Sequence, residues 1–94
     1  MLAGQFEWDP AKAAENLRKH LVTFHDARRV FDDIHAFYRA DRDSGHGEQR
    51  GVVAGMVNGV VLTVVFTERG DVTRIISARK ATGHEQFEYD RSRI

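Results

Sequence analysis

The spacing of hydrophobic and polar residues divides the chain into three parts. After a short lead-in, residues 1–33 are predicted to be helical, because apolar side chains recur at intervals of three and four residues. Residues 34–80 either alternate between apolar and polar side chains or are apolar throughout, which predicts strands. Residues 82–93 open with a capping signal and predict a closing helix.

The N-terminal part is predicted to hold two helices, each with its own capping residue. Asp9 precedes Pro10, and an acidic cap followed by proline in the first helical position is a typical helix start. Thr23 with Asp26 resembles a capping box and begins a second, short helix that ends near residue 33. In the first helix the predicted buried side carries Ala14, Leu17 and Leu21, and the polar side carries Lys12, Asn16 and Lys19. In the second helix the predicted buried side chains are Phe24, Ala27, Val30 and Phe31.

Four strands are predicted to follow in an antiparallel meander. Residues 34–41 and 49–57 supply the first two, and the Asn-Gly pair at 58–59 predicts a tight hairpin, since both residues tolerate a positive φ. Residues 60–67 are apolar on both faces, which predicts a central strand, and residues 72–79 form the fourth.

The two ends of the chain add smaller elements. Phe6 and Trp8 lie in an alternating stretch that can form a short N-terminal edge strand. Thr82 and Glu85 form a capping box that opens a helix able to pack Phe87. The predicted fold is therefore α+β: two N-terminal helices on one face of a mostly antiparallel four-stranded meander, which the edge strand can extend, and a closing C-terminal helix.

Composition supports one domain over residues 1–94. The chain is 41% hydrophobic and 30% charged with a single proline, which is typical of a globular protein. The absence of cysteine excludes disulfides and a thiolate nucleophile. The longest apolar run, residues 60–66, is too short to span a membrane, and residues 1–6 lack the basic start of a signal peptide. A cytoplasmic protein without membrane contact is expected.

The charges balance overall, but basic residues recur around the later strands. Fourteen Lys and Arg match fourteen Asp and Glu, so bulk attraction to nucleic acid is not indicated. Because strand ends converge at sheet edges, Arg50, Arg79 and Lys80 can meet in one patch. Guanidinium groups suit such a patch, since their planar fork binds two phosphate oxygens at once.

Arg74 is harder to place beside Arg79. The two residues are five positions apart, which puts them on opposite faces of a regular strand unless a bulge or the strand end re-aims one of them. The alternative is that both arginines serve only in ion pairs. The acidic partners considered for them are Asp71, Glu68 and Glu85.

Few other residues point to chemistry. Trp8 is either a core residue or a ring on which a nucleic-acid base can stack. His46 and Glu48 lie in a polar loop before Arg50, where a proton-transfer group could be presented. The five histidines are scattered without metal-binding spacing, so neither a metal nor a cofactor is expected.

Several of these residues also form an ordered set along the chain. The set comprises Phe6-Glu7-Trp8-Asp9, Lys12, Asn16, Lys19-His20, Phe24, Glu48, Arg50, Gly55, Arg74-Ile75-Ile76-Ser77-Ala78-Arg79, Ala81, Glu85 and Tyr89. Over residues 6–89 it resembles the BrnT family of type II toxins. The resemblance implies a ribonuclease toxin with a RelE-like fold that cuts RNA and arrests translation and growth. It also implies a BrnA antitoxin with a ribbon-helix-helix domain, in a hetero-oligomer that binds operator DNA only through the antitoxin.

Two positions depart from the family pattern. Leu21 stands where the family usually has the glycine that ends the first helix, so this helix is expected to end differently or to run on by one residue. Phe66 stands where a His or Tyr often appears late in the third strand, so a proton donor from that position is missing here.

The candidate site follows from the needs of RNA cleavage without a metal. The 2′-hydroxyl needs a base, the scissile phosphate needs positive charge, and the leaving oxygen needs a proton. We predict that Arg79 and Arg50 hold the phosphate and that Arg74 assists or holds a neighbouring carboxylate. The proton-transfer candidates are His46 and Glu48, and the predicted RNA-binding residues are Trp8, Lys12, His20 and Lys80.

Two rival functions stay open at this point. A non-catalytic module that stabilises a DNA-binding repressor has the same fold and can leave its arginines salt-bridged, whereas a nuclease needs them unpaired and convergent. A metal-dependent nuclease needs clustered carboxylates, and Asp32 with Asp33 is the only adjacent acidic pair in the sequence.

Overall fold

The structure is a computed structural model that describes residues 5–41 and 49–93. Over these residues the chain forms five strands, three α-helices and one 3-10 helix. The strands are β1 (Gln5–Glu7), β2 (Phe37–Ala40), β3 (Arg50–Val57), β4 (Val60–Arg69) and β5 (Val72–Lys80). The helices are α1 (Pro10–His20), α2 (Phe24–Ala27), the 3-10 helix (Arg28–Asp32) that continues α2, and α3 (Gly83–Ser92).

The strands form one sheet in the order β1-β5-β4-β3-β2. Strands β2 to β5 pair antiparallel with their neighbours, and β1 adds an edge strand parallel to β5. The predicted meander, the edge strand and the central position of β4 are thus confirmed. The hairpin between β3 and β4 turns at Asn58 and Gly59, whose φ angles of 51° and 82° confirm the predicted turn.

Helices α1 and α2 and the 3-10 helix pack on one face of the sheet, which we call the helical face. Its buried residues are Val22, Phe24, Ala27, Val30, Val53, Val57, Leu62, Val64, Phe66, Ile75 and Ala78. The predicted burial in the second helix is confirmed for Phe24, Ala27 and Val30, while Phe31 is partly buried. Only the first turn of this helix is α-helical, and the rest is a 3-10 helix. Removal of these apolar side chains from water is the main favourable contribution to folding.

Helix α3 packs on the opposite face, so helices cover both faces of the sheet. Tyr89 is 2% exposed and contacts Ala54 and Val61, while its hydroxyl donates to Asp33 at 2.5 Å. Burial raises the pKa of Tyr89 to about 12, and the hydrogen bond to Asp33 acts in the same direction. Phe87, which was predicted to pack, is 57% exposed, because Tyr89 turns a different side of α3 to the sheet.

The buried side of α1 also differs from the prediction. Leu17 and Leu21 are 44% and 77% exposed, whereas Asn16 is 5% exposed. The Asn16 amide donates to the carbonyls of Ala78 and Val22 at 2.8 and 3.0 Å and accepts from the Ala78 N–H at 3.0 Å. Asn16, on the inner side of α1, therefore supplies hydrogen-bond partners to backbone N–H and C=O groups that no strand pairs with.

Leu21 ends α1 in the left-handed conformation. Its φ is 57°, and its N–H donates to the carbonyl of Leu17 at 2.9 Å. This is the capping geometry that glycine usually provides, adopted here by a residue with a side chain. The helix therefore ends at His20 and does not run on.

Capping residues set the other helix ends as predicted. Asp9 accepts from the N–H of Ala11, and Thr23 accepts from that of Asp26, both at 3.0 Å. Thr82 and Glu85 form the reciprocal capping box that opens α3.

Strand β2 is shorter than predicted because Asp33 holds a turn before it. The Asp33 carboxylate accepts from the N–H of His35 at 2.9 Å and from that of Met56 at 2.8 Å. Burial acts to raise the pKa of Asp33, but these hydrogen bonds and the one from Tyr89 outweigh it and lower that pKa. Ile34, predicted to begin the strand, is 90% exposed in this turn.

Gly55 permits the close approach of β3 to the 3-10 helix. A Cβ atom at this position would lie 2.7 Å from Cγ1 of Val30 and 3.0 Å from its carbonyl oxygen. Any side chain would therefore push the 3-10 helix away from the sheet.

Candidate active site

Cross-strand register places Arg39, Arg50, Arg74 and Arg79 on one face of the sheet, which also carries Arg69 at the end of β4. Residues opposite each other in neighbouring strands point to the same side of the sheet. Arg50 and Arg74 both lie opposite Thr67 of β4, one on each side, and Arg79 lies opposite Thr63. Arg39 lies opposite Val52, which is two residues from Arg50 in β3 and therefore on the same face. We call Arg39, Arg50, Arg74 and Arg79 with their surroundings the arginine face. It is the face on which α3 packs, since Ala54 opposes Thr63 and contacts Tyr89.

A bulge in β5 makes this arrangement possible. Val65 opposes Ser77, but Phe66 opposes Ile75, so Ile76 is an extra residue in β5. Without it, the five-residue spacing would send Arg74 and Arg79 to opposite faces. The sequence analysis required a bulge or a strand end for Arg74 and Arg79 to share a face, and β5 contains such a bulge.

Glu85 and Arg79 form a bidentate ion pair. Its two carboxylate oxygens accept from Nη1 and Nη2 of Arg79 at 2.7 and 3.0 Å. The same carboxylate accepts from the Thr63 hydroxyl at 3.0 Å and from the Thr82 N–H at 2.9 Å, and it lies 3.5 Å from Arg39. The Glu85 side chain is only 12% exposed.

These contacts keep Glu85 ionised. The hydrogen bond from Arg79 outweighs the effect of burial and lowers the pKa of Glu85 to about 2. The same hydrogen bond raises the pKa of Arg79. Glu85 is consequently a weak base at neutral pH and acts as an anchor for the arginine.

Arg79 keeps part of its hydrogen-bonding capacity. Among the described residues its guanidinium uses Nη1 and Nη2 toward Glu85, and Nη1 again toward the carbonyl of Lys80 at 3.4 Å. A guanidinium has five N–H groups, so Nε–H and the second Nη2–H are left. These two lie side by side on another edge of the same plane, where they match two oxygens of a phosphate.

Arg74 is paired as well, but not with a predicted partner. Its Nη1 donates to Glu7 at 3.0 Å, because β1 pairs parallel with β5 and sets Glu7 directly beside Arg74. The predicted pairing of Arg79 with Glu85 is confirmed. Arg50 lies on the same face beside Thr67, and His46 and Glu48 lie outside the described residues.

A cleft of about 550 Å³ opens between α3 and strands β2, β3 and β4, and Glu85, the partner of Arg79, lies in its lining. We call it the α3 cleft. Its apolar wall is formed by Phe37, Ala40, Val52 and Ala54. Its polar lining is formed by Arg39, Thr63, Thr82, His84, Glu85 and Glu88.

The predicted RNA-binding residues lie away from this face. Trp8 packs on the helical face, edge-on to Phe24 at 5.9 Å and to His25 at 4.9 Å between ring centres. Lys12 and His20 are exposed on α1. Lys80 opposes Leu62 and so points to the helical face, which separates it from Arg79 and makes the predicted shared patch of these two residues wrong.

Sequence reasoning missed Arg39 and the anchoring role of Glu85. Arg39 and Phe37 are two residues apart in β2 and so point to the same face, which the alternation in the sequence already indicated. Phe66 packs against Phe31 at 5.1 Å between ring centres on the helical face, so this position is part of the core.

Neither a metal-binding cluster nor a membrane-spanning helix occurs among the described residues. Within residues 5–41 and 49–93, no group of three or more His, Asp or Glu side chains comes together that could hold a metal ion. In the same part of the chain, no helix has the length and apolar character needed to cross a membrane.

The fold and the site define a small α+β protein whose sheet carries several arginines on one face. The model of one family, described as the ribonuclease toxin BrnT of type II toxin-antitoxin systems, matches residues 8–85. The chain belongs to this family, which confirms the resemblance found in the sequence. No curated protein sequence matches the chain.

Proposed function

We propose that this chain is a ribonuclease toxin that cleaves RNA without a metal, on the arginine face of a RelE-like fold. Cleavage by attack of the 2′-hydroxyl on the phosphodiester inhibits translation and growth in the cytoplasm. The family to which the chain belongs supports the ribonuclease assignment. Two N-terminal helices, a mostly antiparallel sheet and a C-terminal helix support the RelE-like arrangement.

The observation that carries this proposal is the bulge at Ile76. It brings Arg74 and Arg79 to the same face as Arg50, and a phosphate site shared by these arginines needs them on one face. Charge that develops on the scissile phosphate is then met by fixed guanidinium groups. A single preorganised donor of this kind is worth about 100- to 1,000-fold in rate.

We assign Arg79 the main contact to the phosphate, through Nε–H and Nη2–H. Glu85 fixes the guanidinium plane from its other edge, so the arginine is oriented before RNA arrives. Arg50 is the second phosphate ligand. Arg74, held by Glu7, assists from the far end of the face.

Proton transfer is assigned to His46 or Glu48. A histidine titrates near neutral pH and suits this task, whereas Glu85, with a pKa of about 2, does not. Trp8, Lys12, His20 and Lys80 remain proposed RNA contacts, at a distance from the cleavage site.

The proposed partner is a BrnA-like antitoxin with a ribbon-helix-helix domain. The hetero-oligomer binds operator DNA through the antitoxin and neutralises the toxin. The chain offers two surfaces for this partner, the arginine face and a groove beside the helices. The groove has a volume of about 180 Å³ and is bordered by the exposed Leu21 and Val60.

One observation favours a second function. Both Arg74 and Arg79 are salt-bridged, as expected for a non-catalytic module that stabilises a DNA-binding repressor. In that function the arginine face binds only the partner protein. The remaining fork of Arg79 is the reason that we rank the nuclease first.

Cleavage of RNA by purified, antitoxin-free protein in EDTA tests the proposal. We expect the wild type to cut and to leave 2′,3′-cyclic phosphate ends, and Arg79→Ala to lose about 100-fold or more in rate. Arg79→Lys keeps the charge without the fork and should fall in between. The matched control is Arg18→Ala, which removes an arginine-carboxylate pair from α1.

Three results would contradict the nuclease assignment. They are RNA left intact both alone and on translating ribosomes, cutting that disappears in EDTA, and unchanged cutting by Arg79→Ala. Circular dichroism melting of each variant separates a lost site from a lost fold.

A further inference from the structure

We propose that the α3 cleft binds a guanine base next to the phosphate held by Arg79. This inference rests on the proposed cleavage of RNA and gives it a sequence preference. It is carried by three features of the cleft, namely its shape, its polar groups and its position beside Arg79.

The cleft has the size and wall of a site for a planar ring. Its volume of about 550 Å³ lies within the range of small-molecule sites, roughly 300–1,000 Å³. Phe37 provides an aromatic ring in a wall that otherwise consists of small or apolar side chains such as Ala40 and Val52. Stacking on such a ring favours any base, so the wall gives affinity without selecting the base.

The polar groups on the two sides of the cleft select guanine. Glu88 comes from α3 and presents acceptors, while Arg39 comes from β2 and presents donors. Guanine has two N–H donors, at N1 and N2, for a carboxylate, and two acceptors, at O6 and N7, for an arginine. Adenine and cytosine place a ring acceptor next to their amino group, which would face the carboxylate and repel it.

Glu88 is the carboxylate available for this role. Glu85 already accepts from Arg79, Thr63 and Thr82. Among the described residues, Glu88 has two basic neighbours, Arg91 and His84, and the second is an ion-pair partner only when it is protonated. Both contacts measure 3.9 Å, which is longer than a hydrogen bond, and the Glu88 side chain is 29% exposed. A base that donates two N–H groups would therefore gain contacts without displacing stronger ones.

The position of the cleft connects base and phosphate. Glu85 joins the two sites, because it binds Arg79 on the arginine face and lies 3.5 Å from Arg39 in the lining of the cleft. A nucleotide whose phosphate lies on Arg79 has its base or the neighbouring base at the mouth of the cleft.

Sequencing the ends produced from a random-sequence RNA pool tests this inference. We expect the wild type to enrich guanine about tenfold at one position beside the cut. Glu88→Gln replaces an acceptor with an amide of the same size and should bring that enrichment close to one. Glu15→Gln on α1 is the matched control and should keep the preference. Equal use of all bases by the wild type, or an unchanged preference in Glu88→Gln, would overturn the inference.

A second measurement separates this inference from the proposed function. Guanosine 5′-monophosphate, with adenosine 5′-monophosphate as the comparison, is titrated into labelled protein and followed by NMR. We expect guanosine 5′-monophosphate to shift the amide signals of Phe37 and Glu88 and adenosine 5′-monophosphate to leave them in place. Such shifts without RNA cleavage would support the cleft and reject the nuclease, whereas absent shifts would reject the cleft even if RNA is cut.

Discussion

The two faces of the sheet have opposite properties although the same strands build them. On the helical face, the described residues form a core of apolar side chains under α1 and α2. On the arginine face, Thr63, Thr67 and the arginines lie where α3 covers only part of the sheet. Neighbours in a strand point to opposite faces, so Leu62 enters the core while Thr63 binds Glu85. Alternate residues of one strand thus contribute to the apolar core and to the polar contacts of α3.

The largest expected effect is on the helical face. Phe24 is 1% exposed, so Phe24→Ala removes a large buried ring and should lower the free energy of unfolding by about 3–5 kcal/mol. Chemical denaturation measures the change. Phe87→Ala is the matched control, because Phe87 is 57% exposed and its loss should cost less than about 0.5 kcal/mol. Similar losses in both variants would contradict the division between the faces.

Acid should weaken the arginine face next. The pKa of Glu85 is lowered from 4.5 to about 2, so its ion pair stabilises the fold fully above pH 4.5. This contribution, up to about 3 kcal/mol, is lost as the pH falls toward 2.

Denaturation curves between pH 7 and pH 2 test this effect. Glu85→Gln should be less stable than the wild type at pH 7 and should lose less stability on acidification. The control Glu15→Gln alters an exposed pair that solvent screens, so it should follow the wild-type curve closely. Parallel curves for Glu85→Gln and the wild type would show that the ion pair does not stabilise the fold.

A smaller effect is expected where a polar residue enters the helical face. Asn16→Ala leaves both backbone groups of Ala78 without their partner and should cost about 1–3 kcal/mol. The same change at the exposed Lys12 should stay within about 0.5 kcal/mol. Equal melting temperatures for the two variants would argue that Asn16 does not join α1 to the sheet.

The smallest effect has the opposite sign. Leu21 has a φ of 57°, which costs a residue with a side chain about 1–2 kcal/mol. Leu21→Gly removes this strain but gains freedom in the unfolded chain, so the net stabilisation should be about 0.5–1 kcal/mol. Since Leu21 is 77% exposed, little packing is lost. A lower melting temperature in this variant would contradict the assigned cap.

Local signals in the sequence predicted most of the fold. Asp9, Thr23 and Thr82 act as the predicted caps, and the turn at Asn58 and Gly59 is the predicted hairpin. Periodicity failed in α1, because it assigns buried positions by hydrophobicity and cannot show that Asn16 meets open backbone groups of a strand far along the chain. The expected packing of Phe87 failed as well, because Tyr89 is the residue of α3 that meets the sheet.

The site was less predictable for a related reason. The sequence pointed to Arg50, Arg74 and Arg79, but their common face depends on the bulge at Ile76, which no local residue pattern predicts. The partner of Arg74 depends on the pairing of β1 with β5, which joins residues at opposite ends of the chain. The face on which Arg39 lies, in contrast, follows from the alternation of residues within β2 alone.

Which face meets RNA is tested most directly by NMR of the labelled protein with an oligonucleotide that has 2′-deoxyribose at the cleavage site and so cannot be cut. We predict that the arginine Nε–H signals of Arg50, Arg74 and Arg79 shift on binding. The Nε–H signal of Arg29, an arginine of the 3-10 helix on the helical face, should stay in place. Shifts confined to the α1 side, with the arginine signals unchanged, would contradict the assignment of RNA to the arginine face.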